Sequence, residues 1–244
     1  MSPSKFTRRL LTVALVALVL GSAGCGDDES PSAAGEGSAP PLVGLFAVNA
    51  GTCDASGSAG SWFRMVQPGG TIAAGPFVTN GDSSCADKTI TPLTPGADGG
   101  LRTGEFQGQP EPPFDPDGNS VSGRIVVPQK WFAVSFGLAT NKTDPQTSAT
   151  AKAPRITRNG DKLGGQLEAL AASWNGQHFN QGAPKPGGER PGLTAGPSGT
   201  YDEASGRYTL EWSSQIVGGP FSNFTGIWHL EGTFQPSNDT QEES

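Results

Sequence analysis

Histidine is nearly missing from this 244-residue chain: His178 and His229 stand beside three cysteines, two tyrosines and two methionines. Two histidines leave a Ser-His-Asp or Cys-His triad few partners. No GxSxG elbow, HExxH pair or CxxC pair is present, so a serine hydrolase of the elbow type and a zinc enzyme are both disfavoured. Charge is also scarce. Charged residues make up 16% and hydrophobic residues 34%, which fits neither a coiled coil nor a highly charged disordered polymer. Long apolar runs are absent too. The longest uncharged one, residues 10–20 (LLTVALVALVL), has eleven residues, about half of the ~20 that a spanning helix needs.

What is abundant is glycine and proline, 36 and 21 residues. Both break helices and punctuate turns, so the expectation is an all-β fold: an antiparallel β-sandwich or partly open β-barrel with long Gly/Pro-rich loops. Strands are expected near 42–49, 62–67, 123–140 (broken at Pro128), 155–158, 163–174, 208–217 and 225–234. Tyr208, Leu210, Trp212 and Ile216 follow period two toward a core, with Thr209, Glu211, Ser213 and Gln215 on the other face. In the next strand Trp228, Leu230 and Phe234 alternate with His229, Glu231 and Thr233. Two hairpins are legible. One turns at Asn159-Gly160-Asp161, and the other runs from Tyr201 to Tyr208 with Gly206 at positive φ. The 163–174 window has some helical spacing, but Gly164-Gly165 favours a strand. Residues 92–121, rich in Pro and Gly, read as a long surface loop.

The N-terminus is a targeting segment. Lys5, Arg8 and Arg9 precede the apolar run, and Ser22-Ala23-Gly24-Cys25 follows it. Small residues ending in cysteine resemble a bacterial lipobox, with Ser22 where leucine is commonest. The resemblance covers the first 25 residues and implies a signal peptide over 1–24, with Cys25 acylated at the new N-terminus. Acyl chains contribute about 0.8 kcal/mol per buried methylene, so the mature chain would stay on the extracytoplasmic face of the cell membrane. Residues 25–41, without a large apolar side chain before the final prolines, read as anchor and tether. Their r.m.s. span is about 20–25 Å. The β domain is expected over 42–235 and a frayed tail over 236–244.

Loss of 1–24 removes three cations and no acid, so the formal charge moves from −7 to −10. Such an acidic surface disfavours nucleic acid. Export also suits a disulfide between Cys53 and Cys85, which would contribute roughly 3–4 kcal/mol in the chain-entropy model. Beyond the lipobox, 123–140 and 199–234 resemble parts of uncharacterised lipoproteins of high-GC Gram-positive bacteria. The 199–208 hairpin also resembles haem-binding surface domains of those bacteria, but lacks a tyrosine–histidine ligand pair. No cofactor and no metal is expected.

For function, the loop Trp174-Asn175-Gly176-Gln177-His178-Phe179-Asn180-Gln181 combines aromatic faces with amides. That chemistry suits stacking on sugars, so Trp174, Asn175, Gln177, His178 and Asn180 are the candidate ligand residues, with cell-wall polysaccharide as a candidate partner. The same tryptophans could equally be core. Asp115-Pro116-Asp117-Gly118-Asn119 begins like a calcium loop, but Ser120 and Val126 stand where an EF-hand needs Gly and an acid, so a turn is favoured. The overall expectation is a non-enzymatic binding or structural domain. The alternative is a secreted hydrolase using two of Glu168, Glu211 and Glu231, each of which would by default face solvent.

Overall fold

A computed structural model describes residues 40–54 and 57–237; the signal segment, Cys25 and most of the tether lie outside these residues. The strands, in chain order, are β1 (Pro41–Leu42), β2 (Gly44–Val48), β3 (Thr52–Asp54), β4 (Gly57–Ala59), β5 (Trp62–Thr71), β6 (Gly75–Phe77), β7 (Thr91–Pro92) and β8 (Gly100–Arg102). There follow β9 (Gln129–Trp131), β10 (Val134–Thr140), β11 (Arg155–Asn159), β12 (Lys162–Gln166), β13 (Leu170–Trp174), β14 (Gln177–Asn180), β15 (Ala195–Tyr201), β16 (Arg207–Gln215) and β17 (Thr225–Pro236). Among the described residues there is no α-helix, only one 3₁₀ turn at Pro186–Gly188.

The fold is all-β. One antiparallel sheet runs β1-β11-β12-β15-β16-β17-β2-β8, with β5 also pairing to β17 and carrying β6 and β7. It curls into a half-barrel. A second sheet, β14-β13-β10-β9, closes over it as the other layer of a sandwich. The spine is the β16–β17 ladder, paired without interruption from Arg207↔Thr233 to Gln215↔Thr225. Its alternation is the one expected: Tyr208, Leu210, Trp212, Trp228 and Leu230 are buried. Ser213 on the opposite face is buried as well, because its hydroxyl donates to the Leu193 carbonyl at 2.5 Å in a loop lying over that face. Gly232 answers a steric need: a Cβ there would stand 1.9 Å from the Ala47 carbonyl of β2, so the close β2–β17 pairing excludes any larger residue.

Aromatic rings fill the space between the sheets. Trp228 stacks on Trp212 (5.9 Å, 11°), lies 4.3 Å from Phe63 and meets Phe136 edge-on at 6.2 Å. Centroids at these separations are favourable geometries for paired π-systems. The Trp228 and Trp212 indoles donate to the Gln181 side-chain and backbone oxygens at 2.9 and 3.1 Å. Cys53 and Cys85 form the expected disulfide, 32 residues apart in sequence.

Three expectations are refined. The 123–140 run contains strands only at β9 and β10, because Phe132 and Ala133 take positive φ (51° and 63°) and turn the chain into a hairpin. The 163–174 window holds two strands, β12 and β13, separated where Leu170 N–H bonds back to the Leu167 carbonyl. The 92–121 segment is no simple surface loop. It carries β8, and Leu93, Leu101 and Gln107 are fully buried.

Candidate functional site

The five candidate ligand residues fall on the β13–β14 hairpin. Asn175 and Gly176 both have positive φ (49° and 69°), the two-residue turn that matches strand twist. Directly opposed residues share a face of the sheet, so the register separates the set. Ala172↔Phe179 and Trp174↔Gln177 lie on one face, Ser173↔His178 and Ala171↔Asn180 on the other.

Trp174 turns toward the core. Its indole donates to the Trp131 and Val134 carbonyls (2.8 and 3.1 Å), and its ring packs edge-on against Trp131 and Phe221. With Phe63, Phe136, Phe179 and Phe221 it lines an apolar cavity of about 30 Å³. That is room for one or two waters, far below a sugar ring. Asn175 and Gln177 are exposed at the turn.

On the opposite face His178 is half-buried. Its Nδ1 lies 2.7 Å from Ser173 Oγ, and its ring packs 5.0 Å from Phe114. Gln109 Nε2 donates to the same hydroxyl at 2.7 Å. Burial pulls the His178 pKa below its ordinary value. Asn180 is buried among Asp144, Lys185 and Ser214.

A larger space opens elsewhere. A groove of about 750 Å³ lies where the β11–β12 and β15–β16 hairpin ends meet β17, lined by Asn49, Arg158, Tyr201, Asp202, Thr209 and Glu231 among others. Arg158 organises one wall. Its guanidinium bonds Glu203 at 2.7 Å, donates from Nε to the Gly160 carbonyl at 2.8 Å and lies 5.2 Å from the Tyr201 ring centroid. The Arg158 bond holds the Glu203 carboxyl below its usual range, and the Ser205 hydroxyl does the same for Asp202. Thr200 and Thr209, also in the lining, join their hydroxyls at 2.8 Å. The groove is thus lined by Tyr201, whose ring also packs edge-on against Phe234, by the core residue Tyr208, and by charges of both signs, hydroxyls and an amide. Both bounding turns were legible in the sequence. Their meeting was not, because it depends on β12–β15 pairing, and β15 (AGPSGTY) carries no alternating apolar signal.

Of the three candidate carboxylates, Glu211 and Glu231 meet at one histidine, while Glu168 is held elsewhere, by Lys152. His229, stacked on Trp62 at 5.1 Å, sits between Glu211 (2.7 Å to Nδ1) and Glu231 (3.6 Å to Nε2), a cross-strand-bonded histidine. Glu231 also accepts the Gly60 N–H at 2.8 Å. Glu168, expected to face solvent, is instead buried at 5% exposure: it accepts the Lys152 N–H and lies 3.5 Å from Lys152 Nζ. Asp115 closes its own turn, accepting from the Asp117 and Asn119 N–H groups and from Asn119 Nδ2 with Gly118 at φ 81°, as the turn reading expects. Among the described residues no cluster of three or more His, Cys, Asp or Glu has metal-binding geometry. Comparison with protein-family models, curated proteins and solved structures finds no match to this chain.

Proposed function

We propose that this is a lipoprotein anchored through Cys25 to the extracytoplasmic face of the cell membrane, with a β domain that binds wall glycan in the Tyr201 groove. The groove itself carries the reading: about 750 Å³ of open space lined by Tyr201 and Tyr208 and by hydroxyl, amide and carboxylate groups. Sugars are recognised by that combination, an aromatic face against C–H groups and polar groups against hydroxyls. Supporting it are the lipobox-like segment and the tether, which together would hold the domain within reach of the wall. The groove replaces the 174–180 hairpin as the preferred ligand site, since Trp174 has its indole and ring engaged internally.

The test is co-sedimentation of the full chain with purified insoluble wall glycan. Retention of the parent, weakened about tenfold by Tyr201→Ala (about 1.4 kcal/mol), supports the reading. Failure of the parent to sediment refutes it. Release of soluble sugar fragments by the parent would replace binding with hydrolysis. A Cys25→Ala chain that still fractionates with membranes would refute the anchor.

A further inference from the structure

Lys185 is a lysine the fold has taken out of water. It is 3% exposed, and its Nζ has three neighbours: the Asn180 backbone oxygen at 3.0 Å, Asn180 Oδ1 at 2.9 Å and Ser214 Oγ at 2.6 Å. Ser214 donates onward to the Gly182 carbonyl at 2.8 Å, so its oxygen accepts from the lysine. On the other side of the same amide, Asn180 Nδ2 bonds both oxygens of the buried Asp144 carboxylate, at 2.9 and 3.1 Å. The Val217 N–H reaches Asn180 Oδ1 at 3.4 Å. Asp144 is fixed in turn by the N–H groups of Gln146 and Thr147, both at 2.9 Å.

An amine, a carboxamide and a carboxylate thus meet in the protein interior, in the order that acyl transfer requires. A carbonyl bond is about 1.2 Å long, so Nζ stands within roughly 4 Å of the Asn180 Cγ. Burial lowers the Lys185 pKa to about 7, against a smaller opposing effect of Asp144. A large share of the side chain is therefore free amine at neutral pH, the nucleophilic form. Deprotonated, Nζ keeps two of its hydrogen bonds and turns its lone pair to the amide. The Val217 N–H is positioned to receive charge developing on Oδ1. Asp144 sits against the nitrogen that must leave.

We infer that Lys185 and Asn180 join in an intramolecular isopeptide bond, with Asp144 assisting departure of the amide nitrogen. The amine attacks Cγ and forms the new C–N bond. The Cγ–Nδ2 bond breaks, and one amine proton passes to the departing NH2 group, which the Asp144 oxygens hold by hydrogen bonds. The products are one secondary amide and one ammonia. No oxidant, reductant or co-reactant takes part. The bond would fasten the end of β14 to the segment after it, holding Gln181, whose oxygens receive both core indoles.

Peptide mapping of the purified full chain tests this locally. Trypsin is blocked by Pro186 and Pro191, so residues 163–207 emerge as one peptide containing both partners. The expected mass is lower than the sequence mass by one ammonia, about 17 Da, with no backbone fragment ions from cleavage between residues 180 and 185. A peptide at full sequence mass overturns the inference. So does an ammonia-light peptide that fragments freely between 180 and 185, which would be a succinimide at Asn175 or Asn180. Asp144→Asn, which keeps both joined residues, should restore the full mass in a chain whose near-ultraviolet circular dichroism shows it folded. A folded variant that stays light removes Asp144 from the step.

Discussion

Replacing Trp228 by phenylalanine tests the claim that one amide organises the aromatic core. Trp228 is 1% exposed, and its indole N–H is the donor to Gln181 Oε1 at 2.9 Å. Phenylalanine keeps a ring near Phe63 and Trp212 but supplies no donor. Two costs follow. An orphaned buried acceptor costs about 1–3 kcal/mol, and the atoms removed with the pyrrole ring forfeit about 1 kcal/mol of burial. The expected loss is about 3 kcal/mol, or a fall in Tm of roughly 9 °C for a domain of this size. Urea unfolding followed by circular dichroism gives the free energy, and a thermal scan gives Tm. The decisive comparison is a double-mutant cycle with Gln181→Met, which removes the acceptor and leaves the backbone oxygen that receives Trp212. If the bond is the coupling, the double variant loses at least about 1 kcal/mol less than the two single losses combined. Additivity within about 0.5 kcal/mol would refute the reasoning.

Three further outcomes follow. Converting Cys53 and Cys85 to serine frees a loop spanning 32 residues and should lower stability by about 3–4 kcal/mol; two free thiols in non-reducing mass mapping of the parent would contradict the bridge. His178 has a folded pKa held below that of the unfolded chain, so the unfolded state takes up its proton first and stability is lost as pH falls from about 6.5 toward the folded value. His178→Gln should flatten that part of the pH–stability curve, and an unchanged slope would show that the burial has no such effect. Lys185 gives a second pH signature. A free buried amine with pKa about 7 would make stability rise by up to about 1.4 kcal/mol per pH unit between pH 7 and 10, whereas an amide cannot titrate. The parent should therefore lack this rise and a folded Asp144→Asn chain should show it.

The sequence is most transparent where one face of a strand is buried and the other wet. Tyr208-Leu210-Trp212 and Trp228-Leu230 obey that rule, so their pairing and inward direction follow from period two. It is opaque where backbone, not side chains, makes the sheet. Strand β15 has Gly196, Pro197 and Gly199 in seven residues, and Gly199 is required because a Cβ would meet the Thr209 carbonyl at 1.8 Å. The groove depends on that strand. The 174–180 hairpin illustrates a different limit: aromatic and amide content identified a chemically dense segment, but only the register shows that Trp174 and His178 point to opposite faces. The Asp144–Asn180–Lys185 cluster joins residues that have no shared motif and are brought together by burial alone.

The pairing of the start of β2 with the end of β17 has a mechanical consequence. Gly44, at the start of β2, pairs with Pro236 at the end of β17, while Asn49, just past the other end of β2, lines the groove. The strand between them is about 17 Å long. If Cys25 is held by lipid and the groove by the wall, tension between cell and wall runs lengthwise along β2. Its hydrogen bonds to β17 and β8 are then pulled sideways together instead of opening one at a time from an end. A domain so arranged resists tension through the shear strength of a whole ladder, and the first element it would surrender is the two-residue β1, which joins tether to sheet through β11 ahead of β2.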